Sequence, residues 1–175
     1  MEVNTIKQEE FEKIVRDFFA KSEFNNETIE KFSQIFIKYS RYDNIKEYCL
    51  NTIKEAYEYA ANIKKDLEKT DFKEKEKEKI YDVMMKNSYL MDVGNVVVKS
   101  QSAIVKEHND IVGRLNKTTA EKIKIERLRK ESAVLKNLAE ELVEVTKKTY
   151  KEATKARETI NKRISKIEKK NNKRK

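Results

Sequence analysis

Apolar residues recur at intervals of three and four along nearly the whole chain, the spacing of helices that bury one face. Ile6, Phe11, Ile14, Val15, Phe18 and Phe19 predict a first helix over about 5–21. Phe24-Asn25-Asn26 interrupts the pattern, and either asparagine can cap the next helix. Ile29, Phe32, Ile35, Phe36 and Tyr39 predict that second helix over about 27–42. After Asp43-Asn44, where Asn44 and Glu47 resemble a capping box, a third helix over about 45–69 carries Ile45, Cys49, Ile53, Ala56, Ala60, Ile63 and Leu67. Asp71 with Glu74 suggests a further N-terminus. The alternating run Lys73–Lys79 places opposite charges at i+3 and like charges at i+4. It reads as the solvated first turns of a fourth helix, with a charged linker as the competing reading.

The fourth helix, expected over about 72–115, has the clearest period. Val83, Leu90, Val97, Ile104 and Ile111 stand seven apart, and Met84, Met91, Val98, Val105 and Val112 follow them one residue later. Ile80, Asn87, Gly94, Gln101, His108 and Leu115 form a partly polar edge. Gly94 and the β-branched Val96-Val97-Val98 lower helix propensity, which allows a kink or a break. Arg114–Lys117 reads as a helix end, and Thr118 with Glu121 as the capping box of a fifth helix reaching about residue 170. Its seam is Ile125, Leu128, Ser132, Leu135, Ala139, Leu142, Thr146, Thr149, Ala153, Ala156, Ile160 and Ile167, widened by Leu138 and Val145. At 1.5 Å per residue these helices span roughly 66 and 78 Å.

The short link between the long helices favours an antiparallel hairpin. The rival is one unbroken helix from 72 to 170 that pairs with a second copy. The expected fold is all-α: an elongated helical bundle with a long antiparallel helical hairpin or coiled coil. Residues 1–70 would form an aromatic-rich three-helix head, 71–163 the hairpin with its turn near 114–118, and 164–175 a basic tail. Pairing the two long helices exhausts the fourth near residue 163 and puts the tail at the same end as the head. The double apolar stripe from Val83/Met84 to Ile111/Val112 exceeds a two-helix seam and implies a further helix, from the head or a second subunit.

Composition supports this picture. Among 175 residues there are two glycines and no proline, far too few turn-formers for a sandwich, barrel or dinucleotide-binding fold. No apolar run approaches the roughly 20 residues of a membrane span, and Met1–Glu10 has no apolar leader. A cytoplasmic location is therefore expected. Cys49 is the only cysteine and His108 the only histidine. That excludes an intramolecular disulfide and zinc sites built from several cysteines or histidines. Gly94 and Gly113 are too far apart for a phosphate-binding loop. Cys49 reads as a small buried apolar residue, His108 as a polar group on a packed edge. Adjacent acids such as Glu9-Glu10 and Glu140-Glu141 read as solvated faces. No catalytic, cofactor-binding or metal-binding residue is expected, and no small-molecule substrate.

Charge divides the chain. Residues 1–116 hold 20 Lys and Arg against 22 Asp and Glu; residues 117–175 hold 20 against 9. Fourteen of the 15 aromatic residues lie within 1–90. The basic end supplies the candidate polyanion-binding residues Lys162, Arg163, Lys166, Lys169, Lys170, Lys173, Arg174 and Lys175. A solvated helix end that suits the macrodipole is the plain alternative. Lys38-Tyr39-Ser40-Arg41-Tyr42 with Tyr48 could stack on a nucleobase, but such tyrosines more commonly cover a bundle core. The candidate helix-interface residues are Val83, Leu90, Val97, Ile104, Ile111, Ile125, Leu128, Leu135 and Leu142. The expected function is non-enzymatic: a structural or protein-interaction protein, an assembly or scaffold element that self-associates or binds a protein partner. Non-specific nucleic-acid binding through the basic C-terminal helix and tail, and peripheral binding to anionic membranes, are the alternatives.

Overall fold

Strong helix formers and the lack of proline leave little to interrupt the backbone. The computed structural model, which describes residues 6–175, contains five helices and no strand among those residues: α1 (Gln8–Ala20), α2 (Asn26–Tyr39), α3 (Asp43–Glu68), α4 (Glu74–Val112) and α5 (Thr119–Lys173). The chain is a helical bundle. The expected start of the first helix at residue 5, and the first half of the leader-free stretch, lie outside the described residues.

Helix ends follow the local chemistry at two of the expected positions and depart from it at two others. The Asn25 side chain accepts from the Thr28 N–H at 2.8 Å and caps α2. Thr118 and Glu121 form the full capping box of α5, with the Glu121 N–H donating to Thr118 Oγ1 at 3.1 Å and the Thr118 N–H donating to Glu121 Oε1 at 3.3 Å. By contrast, α3 begins one residue earlier than Asn44, after Tyr42, and no side chain caps it. The Asn44–Glu47 box does not form because Tyr42, whose hydroxyl donates to Glu107, already fixes the entry of the chain. Likewise α4 starts after Lys73 without a side-chain cap. Asp71 is drawn instead to Arg163, at 3.5 Å. The helix α4 continues unbroken through Gly94. Its 39 residues span about 58 Å and the 55 of α5 about 82 Å.

The named contacts set the topology. Lys124 meets Glu107 at 2.7 Å, Arg129 Nε donates to His108 Nε2 at 3.1 Å, and Thr149 Oγ1 donates to Asn87 Oδ1 at 3.0 Å. Partners thus move in opposite directions, so α4 and α5 pack antiparallel within one chain. The Lys99 ammonium lies over the Tyr48 ring and that of Lys64 over the Tyr81 ring, so α3 also runs antiparallel to α4. The first three helices lie alongside α4 rather than beyond its end. The basic end of α5 consequently sits by the end of α3, where Arg157 meets Asp66 at 2.8 Å.

One apolar cluster draws residues from all five helices, from Phe11 to Ile160. Against α4, Phe18, Phe19 and Phe24 surround Tyr89, with ring centroids 4.9, 6.1 and 6.1 Å away. The buried Tyr89 hydroxyl donates to the Phe18 carbonyl at 3.2 Å, so its polar atom is satisfied in the core.

Candidate interaction surfaces

Each long helix divides into strips, and the strips have different fates. On α4, Leu90, Val97, Ile104 and Ile111 are buried, and on α5 so are Ile125, Leu128, Leu135 and Leu142; Val83 is half-buried. The buried ones among these expected interface residues belong to the core of one chain, and Leu138 packs on it, but Val145, expected to widen the seam, is 48% exposed because it falls outside the face of α5 turned to the core. A second strip of α4, Met85, Tyr89, Val93, Val96 and Ser100, is buried as well, under the first three helices.

The third strip is not covered. Only Met84 of its row is buried; Met91 is 42%, Val98 52%, Val105 39% and Val112 40% exposed. Asn95, Ser102 and Asn109 alternate with them and are exposed. The positions 91, 95, 98, 102, 105, 109 and 112 follow the four-three spacing of one helical face. In a chain with 41% charged residues, none of the seven is charged. Lys99 and Lys106 border this face on α4, and Arg129, held at His108, borders it from α5. Continuing by sevens from Arg129 gives Lys136, Val143 and Tyr150 on the same edge of α5, all exposed. The further helix expected for the double stripe is therefore not supplied by the front of the chain, which covers the opposite flank of α4.

The basic end of α5 is helical to Lys173. Of the expected polyanion-binding residues, Arg163 is engaged, bonded to Asp71 with its guanidinium 4.8 Å from the Phe72 ring. Lys162, Lys166, Lys169, Lys170, Lys173, Arg174 and Lys175 are exposed, and among the described residues none is ion-paired.

The Tyr39–Tyr48 cluster is internally occupied. Tyr39 is buried. Arg41 donates to the Tyr42 hydroxyl at 3.1 Å and lies 3.4 Å from Glu131, which also faces Lys38 at 3.8 Å. Lys124 and the Tyr42 hydroxyl, both bonded to Glu107, hold its carboxyl below the usual range against the opposing effect of burial, which is the larger single influence. This network ties the α2–α3 junction to the turn end of α4 and α5.

Cys49 and His108 do not share a site. Cys49 is fully buried, and burial pushes its thiol up to about 12, which disfavours the reactive thiolate. His108 has its own partners, Arg129 on Nε2 and Asn109 Oδ1 on Nδ1 at 3.1 Å. No group of three His, Cys, Asp or Glu among the described residues could hold a metal ion. A cleft of about 320 Å³ opens between the α1–α2 link and α4, walled by Phe24, Tyr81, Met85 and Tyr89. Burial, with Glu23 and Glu78 nearby, raises the Asp82 carboxyl on its rim. The volume is at the low end for ligand pockets.

Sequence reasoning missed Asp92, a charged-type residue one position from an apolar row. Its Oδ2 is buried without a hydrogen-bond partner. Burial, assisted by Glu55, pushes its carboxyl up to about 7. No helix among the described residues is long and apolar enough to cross a membrane. No protein-family model, curated protein or solved structure matches the chain.

Proposed function

We propose that this chain is a non-enzymatic protein-interaction module, an assembly or scaffold element that presents a helical face to a partner. The observation that carries this reading is the uncharged strip from Met91 to Val112. Interface centres are depleted of charge, and exposed apolar rows of this regularity suit a helix laid along them by i, i+3, i+4 and i+7 anchors. The occupant is a helix of another protein, bearing acidic residues on both sides of an apolar stripe. Charge favours it over a second copy: Lys99 and Lys106 on one edge and Lys136 on the other would face like charge in a symmetric pair, whereas Arg129 is already paired with Glu126 at 3.1 Å. A cytoplasmic setting belongs to the same proposal.

The test uses two synthetic helical peptides of identical apolar stripe, one flanked by Glu and one by Lys, and a V98D/V105D variant. The Glu-flanked peptide is expected to bind the wild-type chain and to lose at least about tenfold in affinity against the variant, about 1.4 kcal/mol. Failure to discriminate between peptides, or between proteins, would overturn the assignment. A dimer in light scattering that V98D/V105D dissolves would replace the foreign helix by a second copy.

The ion-unpaired basic residues at the end of α5 favour a second reading, binding to polyanions, with nucleic acid and an anionic membrane surface as the two candidates.

A further inference from the structure

The helix α5 carries a regular row of cations that extends well beyond the tail. Lys148, Lys155, Lys162 and Lys169 stand seven apart and are all exposed. Lys166 and Lys173 join the row at spacings of three and four. The distance from Lys148 to Lys173 is about 38 Å along the helix, with successive heptad positions about 10.5 Å apart. Lys124, on the same helix, is paired with Glu107 at 2.7 Å. None of the six lysines in the row forms an ion pair among the described residues. The positions beside them are rich in small hydrogen-bonding side chains: Thr154, Thr159, Asn161, Ser165 and Asn172. The acids beside the row, Glu152, Glu158 and Glu168, are outnumbered two to one by its six lysines.

Three features narrow the partner. An interfacial membrane helix needs a free apolar face, and here that face is used: Ala153 and Ile160 are buried, and Ile164 packs on the core. Single-stranded nucleic acid is held largely by stacking on aromatic side chains, and no aromatic residue follows Tyr150. Phosphate contacts from lysine and from hydroxyl and amide side chains position a protein on a duplex without reading bases. A long rigid row also suits a rigid partner.

We propose that the lysine row of α5 binds the sugar–phosphate backbone of double-stranded nucleic acid without sequence preference. This deepens the polyanion reading, on which it rests, and is independent of the Met91–Val112 face.

The experiment compares the full chain with K155E/K162E/K169E and with K13E/K31E/K54E, which changes net charge equally at exposed positions elsewhere. Anisotropy reports binding to a duplex of about 20 base pairs, its scrambled counterpart and one of its single strands, with salt raised from about 50 to 200 mM. Phosphatidylserine vesicles form a parallel arm. The expected result is duplex binding indifferent to sequence, with a logarithmic salt slope of about −3 or steeper. The row variant should lose at least about 30-fold at low salt, with the slope reduced by about 3; the control variant should stay within about threefold of wild type. K155Q/K162Q/K169Q should fall between wild type and the Glu variant, and circular dichroism should show equal helicity for all. Equal losses in the two Glu variants, or tighter binding of the single strand, would overturn the inference. Vesicle binding without duplex binding would overturn it while sparing the polyanion reading. Absence of both at low salt would end both.

Discussion

Asp92 is the residue whose chemistry is most at odds with its place. Its carboxyl has an ordinary value of 3.8 and stands at about 7 in the folded chain, because burial penalises the charged form and Glu55 adds to the effect. Between about pH 4 and 7 an unfolded chain releases this proton while the folded chain retains it. Asp92 therefore leaves folding unopposed below about pH 4, opposes it increasingly as pH rises, and opposes it fully above about pH 7. Each pH unit of displacement corresponds to about 1.4 kcal/mol, so the full effect is of the order of a few kcal/mol. Asp92→Asn should raise the thermal midpoint at pH 8, by the equivalent of about 1–2 kcal/mol given the polar amide still buried, and leave it nearly unchanged at pH 4. Thermal unfolding across this range checks it; an equal shift at both ends would contradict the assignment. Asp92 was not legible in the sequence because its burial depends on α3 lying over it. Cys49 was legible, since a cysteine on a clean apolar period is buried whatever covers it.

The helix α4 shows what an element adds to its residues. Gly94 and the valines beside it lower helix propensity, and a break there is a fair expectation from the local sequence. The helix nevertheless continues, because Leu90, Val93, Val96 and Val97 are all buried on either side of the glycine and most helix stability in proteins comes from such packing. A Cβ built on Gly94 meets nothing within 4 Å, and the backbone there has no positive φ. Gly94→Ala should therefore stabilise the chain by about 0.5–1 kcal/mol, through propensity and a less flexible unfolded state. A lower thermal midpoint in the alanine variant would show that the glycine is needed. Caps divide on the same principle. The Thr118–Glu121 box forms as its spacing predicts, since its atoms lie within four residues. The expected Asn44 and Asp71 termini yield to Glu107 and Arg163, residues more than 60 positions away along the chain.

At the scale of the whole molecule, one core joins all five helices, with nearly all the tyrosines beside α4 and most of the helical residues in α4 and α5. A near-ultraviolet tyrosine signal thus follows the packing of the first three helices on α4, at Tyr89 against Phe18, Tyr48 under Lys99 and Tyr42 on Glu107, and far-ultraviolet dichroism follows mainly the two long helices. A single shared core predicts that both signals melt with one midpoint. An earlier tyrosine transition, with helicity retained, would mean that α4 and α5 hold together without the front of the chain.

The sequence alone determined that the chain is helical, that its pattern breaks between the two long helices, and which rows of those helices are apolar. Those properties depend on periodicity, composition and contacts only a few residues apart. The tertiary structure decided where the front helices lie. They cover the flank of α4 that carries Tyr89, Val93 and Val96, and leave the row from Met91 to Val112 in solvent. Periodicity marks an apolar position without saying which neighbour will cover it, because two flanks of one helix read alike until a distant segment packs on one of them.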